Sequence, residues 1–67
     1  MLMNLDPSIE FLTRDDLAKL LKISRASVYR LAERRQIPFF KVGGSIRFAK
    51  SDVLTFLRKG RVDAIST

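Results

Sequence analysis

Four side chains in the stretch SRASVYRLAERRQ carry the most specific chemistry of this chain: Arg25, Ala26, Tyr29 and Arg30. At 3.6 residues per turn, Val28, Leu31, Ala32 and Arg35 form one stripe, and Ala26, Arg30 and Glu33 lie opposite it, with Tyr29 and Arg34 on the flanks. An Arg guanidinium is a rigid fork of donors that matches guanine O6 and N7, and one good bidentate pair discriminates by about 1–3 kcal/mol. Arg25 and Arg30 are therefore the first choices for contact with base edges. Ala26 fits against a thymine methyl. Tyr29 either offers its hydroxyl to a phosphate and its ring to a sugar, or braces the segment that follows. The alternative for Arg30 is a solvated helix face. The spacing predicts a helix that reads a duplex major groove.

A second set is suited to phosphate. Lys22, Ser24, Ser27, Arg34 and Lys41 supply cations and hydroxyls that position a protein on DNA without specifying sequence. Ser24 has an equally good purely structural role, capping the helix it precedes. Ser45 and Arg47 belong with the glycine turn at Gly43 and Gly44, and an Arg at a hairpin can enter a narrow A·T-rich minor groove; the alternative for Arg47 is a charge that blunts strand-edge pairing. Arg35, on the inner stripe, is expected to pair with an acid or to lay its stem over the core.

These residues need a scaffold. LAKLLKISRASVYRLAERRQ reads as two helices and a tight turn, with Ala18 allowing close crossing and Ile23 plugging the turn. Thr13 caps the first helix, and Asp16 completes a weaker capping box. The helix runs to about Lys22, a position that favours a left-handed backbone. The second helix ends by Gln36 or Ile37, because Pro38 disfavours helix in the residue before it. FFKVGGSIRF then predicts a two-stranded hairpin in which FFKV and IRF flank Gly43-Gly44-Ser45, with Phe40, Val42, Ile46 and Phe48 facing the core and Lys41 and Arg47 facing solvent. A last helix spans about Lys50 to Lys59, with Val53, Phe56 and Leu57 on its apolar stripe, Gly60 stopping it and Ala49 offering no cap. Phe39, Phe40, Phe48 and Phe56 are read as core rather than as a platform for stacking single-stranded bases. Residues 1–10 are expected to be a flexible lead-in, 11–60 the folded domain, and 61–67 a flexible tail. The predicted fold class is mainly α with a small β-hairpin, a winged helix-turn-helix of three helices and a two-stranded wing.

Composition agrees. Thirteen Lys and Arg against seven Asp and Glu give 67 residues a net charge of +6. Residues 13–36 hold seven bases against three acids and residues 37–60 hold five against one, so the excess falls on the helical pair and the hairpin. Localised positive charge is the electrostatic footprint of a polyanion binder. The chain has neither Cys nor His, which excludes disulfides, thiolate metal sites and His-based acid–base chemistry. No metal, cofactor or small-molecule ligand is expected, nor a membrane segment or signal peptide, and the expected location is cytoplasmic, on the nucleoid when bound to DNA. Asp15 and Asp16 suit the first turn of a helix better than a catalytic pair, so no enzymatic activity is expected.

From Phe11 to Leu57 the chain resembles the small excisionase-like, MerR-type winged helix-turn-helix DNA-binding domains. The resemblance rests on FLTRDDLAKLLKIS, SRASVYRLAERRQIPFFKVGGSIRF and SDVLTFL, and on their order. Lys22 replaces a Gly-like turn residue and Ala49 a polar cap. The resemblance implies a module of recombination directionality factors from phages and integrative elements, or of small transcription regulators. It further implies cooperative binding to adjacent sites, DNA bending and assistance to a tyrosine recombinase. Effector sensing and coiled-coil dimerisation, features of the larger MerR-type regulators, are not expected. A protein-interaction module, antitoxin-like or anti-repressor, is the reading from another class; absence of salt-dependent DNA binding would favour it.

Overall fold

A computed structural model describes residues 9–65 of the chain. Of the expected lead-in, 1–10, residues 1–8 lie outside the described residues. In order the elements are β1 (Phe11–Leu12), α1 (Arg14–Leu21), α2 (Arg25–Glu33), β2 (Phe40–Val42), β3 (Ser45–Ala49) and α3 (Lys50–Lys59).

The helical pair forms from local signals. The Thr13 hydroxyl accepts the Asp16 N–H at 3.0 Å, and the Asp16 carboxylate accepts the Thr13 N–H at 3.1 Å, a reciprocal capping box. Lys22 closes α1 in the left-handed region at φ 55°, and the Ile23 N–H reaches back to the Ala18 carbonyl at 3.1 Å. Ser24 then caps α2, its Oγ accepting the Ser27 N–H at 3.1 Å. Two expectations for this pair are corrected. Ile23 is 37% exposed, so it covers the turn from outside rather than plugging it. Helix α2 stops at Glu33, short of Gln36, because Arg35 turns left-handed at φ 57°. The Arg35 and Gln36 N–H groups then bond to the Ala32 and Leu31 carbonyls, the paired bonds of a Schellman ending. That turn delivers Ile37 into the core at 1% exposure.

The sheet has three antiparallel strands, not two, in the order β1-β3-β2. Phe11 pairs with Ala49 and Leu12 with Phe48, so the residues before the Thr13 cap form an edge strand. On the other side Phe40, Lys41 and Val42 pair with Arg47, Ile46 and Ser45. The hairpin loop is therefore Gly43-Gly44 alone, with Gly43 at φ 61°, as the first central position of a type II′ turn requires. A two-residue loop puts Val42 and Ser45 on one face. This reverses the expected sidedness of β2: Phe40 and Val42 lie on the outer face with Arg47, exposed by 36% and 55%, and Lys41 shares the inner face with Ile46. Phe11 stacks edge-on against Phe40 on that outer face, centroids 5.5 Å apart.

Leu17, Ala18, Val28, Ala32, Ile37, Phe48 and Val53 make the buried core, with Leu12, Phe39, Ile46 and Phe56 packed at its margin. Of the four phenylalanines read as core, Phe48 is fully buried, Phe39 and Phe56 flank it, and Phe40 is outside. Leu57, expected on the α3 stripe, is 42% exposed. Ala49 gives α3 no side-chain cap. Its first N–H is satisfied instead by the residue before β1: the Lys50 N–H donates to the Glu10 carbonyl at 2.9 Å. Gly60 ends α3 at φ −91°, without using the left-handed freedom of glycine.

The capping box yields a stability prediction. Thr13→Ala removes a partner from the Asp16 N–H and is expected to cost about 1 kcal/mol, or roughly 4–8 °C in melting temperature. The Thr13 backbone N–H, then its hydroxyl, hold the Asp16 carboxyl below its ordinary value of 3.8, with smaller help from Lys19 and Arg47. A carboxyl depressed on folding stabilises above its unfolded value and loses that contribution as pH falls through the folded one. Thermal melts from neutral pH down to acid should therefore show the loss below about pH 4 in the parent chain and a weaker loss in Thr13→Ala.

Candidate nucleic-acid interface

Burial of Val28 and Ala32 turns the opposite side of α2 outward. Arg25, Ala26, Tyr29 and Arg30 are all exposed, Tyr29 by 51%. The structure thus brings the four candidate base-reading residues onto one accessible surface. It also gives two of them, Arg25 and Arg30, a partner. The Arg25 Nε donates to Asp15 Oδ1 at 2.8 Å across the two helices. The Ser24 and Ser27 hydroxyls lie 3.0 Å apart, and Arg30 Nη2 donates to Ser27 Oγ at 3.4 Å, a long contact that barely restrains the guanidinium. Arg30 is the freer of the two candidate base readers, and Arg25 is tethered to α1.

Tyr29 borders a cleft between α2 and the hairpin, together with Gly44, Ile46 and Lys41. It lies at the mouth of that cleft and is not sealed against the wing. Ser45 sits beside the turn, exposed. Arg47 is half-buried, and its Nη1 donates to the neighbouring Ile46 carbonyl at 2.8 Å. It borders a shallow depression with Thr13, Arg14 and Asp15 at the start of α1, and its charge helps to depress Asp16; insertion into a groove requires it to leave Ile46. Lys22 and Arg34 are exposed at the ends of α1 and α2.

Arg35 is corrected. It is exposed, has no ion-pair partner among the described residues, and lines the cleft beside Lys41 instead of the inner stripe. The left-handed backbone at Arg35 takes its side chain out of the α2 register. Arg14, which the sequence reading left unassigned, borders the same cleft. Only folding reveals it, because the first turn of α1 is far from α2 and β2 along the chain.

Among the described residues no cluster of His, Cys, Asp or Glu could hold a metal ion, no buried side-chain polar atom lacks a partner, and no helix is long and apolar enough to cross a membrane. A helical pair whose second helix exposes cations beside a basic hairpin, with a third helix closing the core, defines a winged helix-turn-helix DNA-binding domain. The model of the helix-turn-helix domain family matches residues 11–61, and the chain belongs to that family. No significant match occurs among curated proteins or among solved structures.

The Arg25–Asp15 tether can be tested directly. Both groups are largely exposed, 79% and 55%, so the pair contributes little to folding, roughly 0–1 kcal/mol. Asp15→Asn removes a negative charge from beside the exposed face of α2 and releases Arg25. Fluorescence anisotropy should show tighter binding to duplexes of any sequence and a nearly unchanged melting temperature.

Proposed function

We propose that this DNA-binding protein is an excisionase-type recombination directionality factor of a phage or integrative element. It binds specific duplex sites, with α2 in the major groove and the hairpin of residues 39–48 in the adjacent minor groove. Arg25, Ala26, Tyr29 and Arg30 meet base edges. Lys22, Ser24, Ser27, Arg34 and Lys41 meet phosphates, and Ser45 and Arg47 meet the minor groove. The observation that carries this reading is the exposed cationic face of α2 lying beside the basic hairpin, while Val28 and Ala32 of α2 and Phe48 of the hairpin turn inward to the core. Two elements gripping neighbouring grooves favour a bent duplex, since bending brings both into contact. The excisionase role, with cooperative binding to adjacent sites and a tyrosine recombinase as partner, is supported by the succession of motifs from Phe11 to Leu57.

The test begins with selection of bound fragments from the source genome, followed by footprinting. Sites should cluster at the ends of an integrated element, in tandem, and circularly permuted fragments should migrate as bent DNA. Adding the protein to the recombinase encoded nearby should shift the products toward excision. A single operator upstream of an operon, with no effect on recombination, would assign the chain to transcriptional control instead.

A further inference from the structure

We infer that Arg14, Arg35 and Lys41 form a seat for the backbone phosphates of one DNA strand, in the cleft between α2 and the hairpin. The inference rests on the two-groove binding mode above. A helix in a major groove and a hairpin in the next minor groove must straddle the sugar–phosphate backbone that separates them. Whatever lines the gap between helix and hairpin therefore meets phosphate. In this chain Arg14, Arg35 and Lys41 line it, against a single acid, Glu33.

Three further observations converge on these residues. All three are exposed and lack an ion-pair partner among the described residues, unlike Arg25, Lys50 and Arg61. Arg14 also borders two neighbouring depressions, one with Arg25 and Ala26 and the other with Ser45 and Arg47, so it stands where the reading helix and the wing meet. Arg35 holds a left-handed backbone at φ 57°, which glycine adopts more easily. A long cation at that position costs conformational energy on folding, and a phosphate at the cleft gives it a use that glycine lacks.

The seat positions the protein and does not read sequence, which separates it experimentally from α2. Each phosphate contact releases condensed counterions and contributes about 0.9 to the slope of log affinity against log salt. Arg14→Ala, Arg35→Gly and Lys41→Ala should each flatten that slope by about 0.9. At 50 mM salt each should weaken a selected duplex and a scrambled duplex of equal length by the same factor. Between 50 and 200 mM salt the parent chain should lose about 3.5-fold more affinity than each single variant, and about 40-fold more than the triple variant. Arg14→Lys should restore the parent slope. Arg35→Gly should melt no lower than the parent, which separates weaker binding from misfolding.

Single variants with the parent slope, alongside a parent that binds with strong salt dependence, would overturn the seat and leave the DNA-binding mode standing. Altered base preference in Arg14→Ala would overturn it too, by making Arg14 a reader. A parent chain without salt-dependent duplex binding would remove both the seat and the reading beneath it.

Discussion

Arg30→Ala is expected to keep the fold and to relax sequence preference at one base pair of the bound site. The side chain is exposed and makes one long contact, to Ser27 Oγ at 3.4 Å, so its removal should change stability by no more than about 0.5 kcal/mol. Its value lies in the complex. A bidentate Arg–guanine pair discriminates by about 1–3 kcal/mol, which corresponds to roughly 5- to 150-fold between the right and wrong base. Site selection with the variant should therefore return the parent motif with one position degenerate. Lys41→Ala provides the contrast: the parent motif unchanged, affinity lower for every sequence, and a flatter salt slope. Arg30 is the sharper probe than Arg25, because Arg25 already spends a hydrogen bond on Asp15. An unaltered motif from Arg30→Ala at moderate salt would mean that the outer face of α2 does not read bases.

The helical pair was legible in the sequence because its determinants are local. The Thr13 and Ser24 caps, the Asp16 half of the capping box and the left-handed Lys22 all act within a few residues of themselves. The sheet was less legible, because its determinants are distant. Phe11 and Leu12 are a strand only by virtue of Ala49 and Phe48, and two residues carry no alternation to detect. The sidedness of β2 hung on whether the turn was Gly-Gly or Gly-Gly-Ser. One residue of difference moves every side chain of the strand to the other face.

The site shows the same division. Arg25, Ala26, Tyr29 and Arg30 follow from helical periodicity, and their exposure agrees with it. Periodicity puts Arg35 on the inner stripe only if the helix continues, and the Schellman ending stops it two residues earlier. Arg14 carried no signal at all: at the first position of a capped helix, an Arg looks like any solvated side chain. What distinguishes it is a neighbourhood assembled from α1, α2 and β3. Lys22 and Arg35 add a common thread, since both helices of the pair end on a left-handed cation. Each gives up folding energy on the order of 1 kcal/mol relative to glycine. Two such costs narrow a margin that is already small in a domain of this size.

That narrow margin sets the largest expected effect on folding, from Phe48→Ala. Phe48 is fully buried, pairs with Leu12 in the sheet, meets Phe39 edge-on at 6.5 Å, and shares the core with Leu17, Val28, Ile37 and Val53. It is where β1, the hairpin, the helical pair and α3 come together. Truncating such a Phe costs about 3–5 kcal/mol, the lost burial plus the cavity left behind. A core in a domain of this size rarely supplies more than about 3–5 kcal/mol in all. Phe48→Ala should therefore be largely unfolded at 25 °C by circular dichroism and should not bind duplex DNA at low concentration. Phe48→Leu, which keeps most of the volume, should fold with a lowered midpoint and bind with the parent motif. Because DNA binds only the folded chain, saturating duplex should raise that midpoint by mass action. Phe40→Ala, on the exposed outer face, should melt close to the parent and serves as the control for losing a ring. A cooperative transition in Phe48→Ala near the parent midpoint would place the centre of the core elsewhere. It would also mean that this one buried ring does not hold α2 and the hairpin at a fixed distance across the cleft.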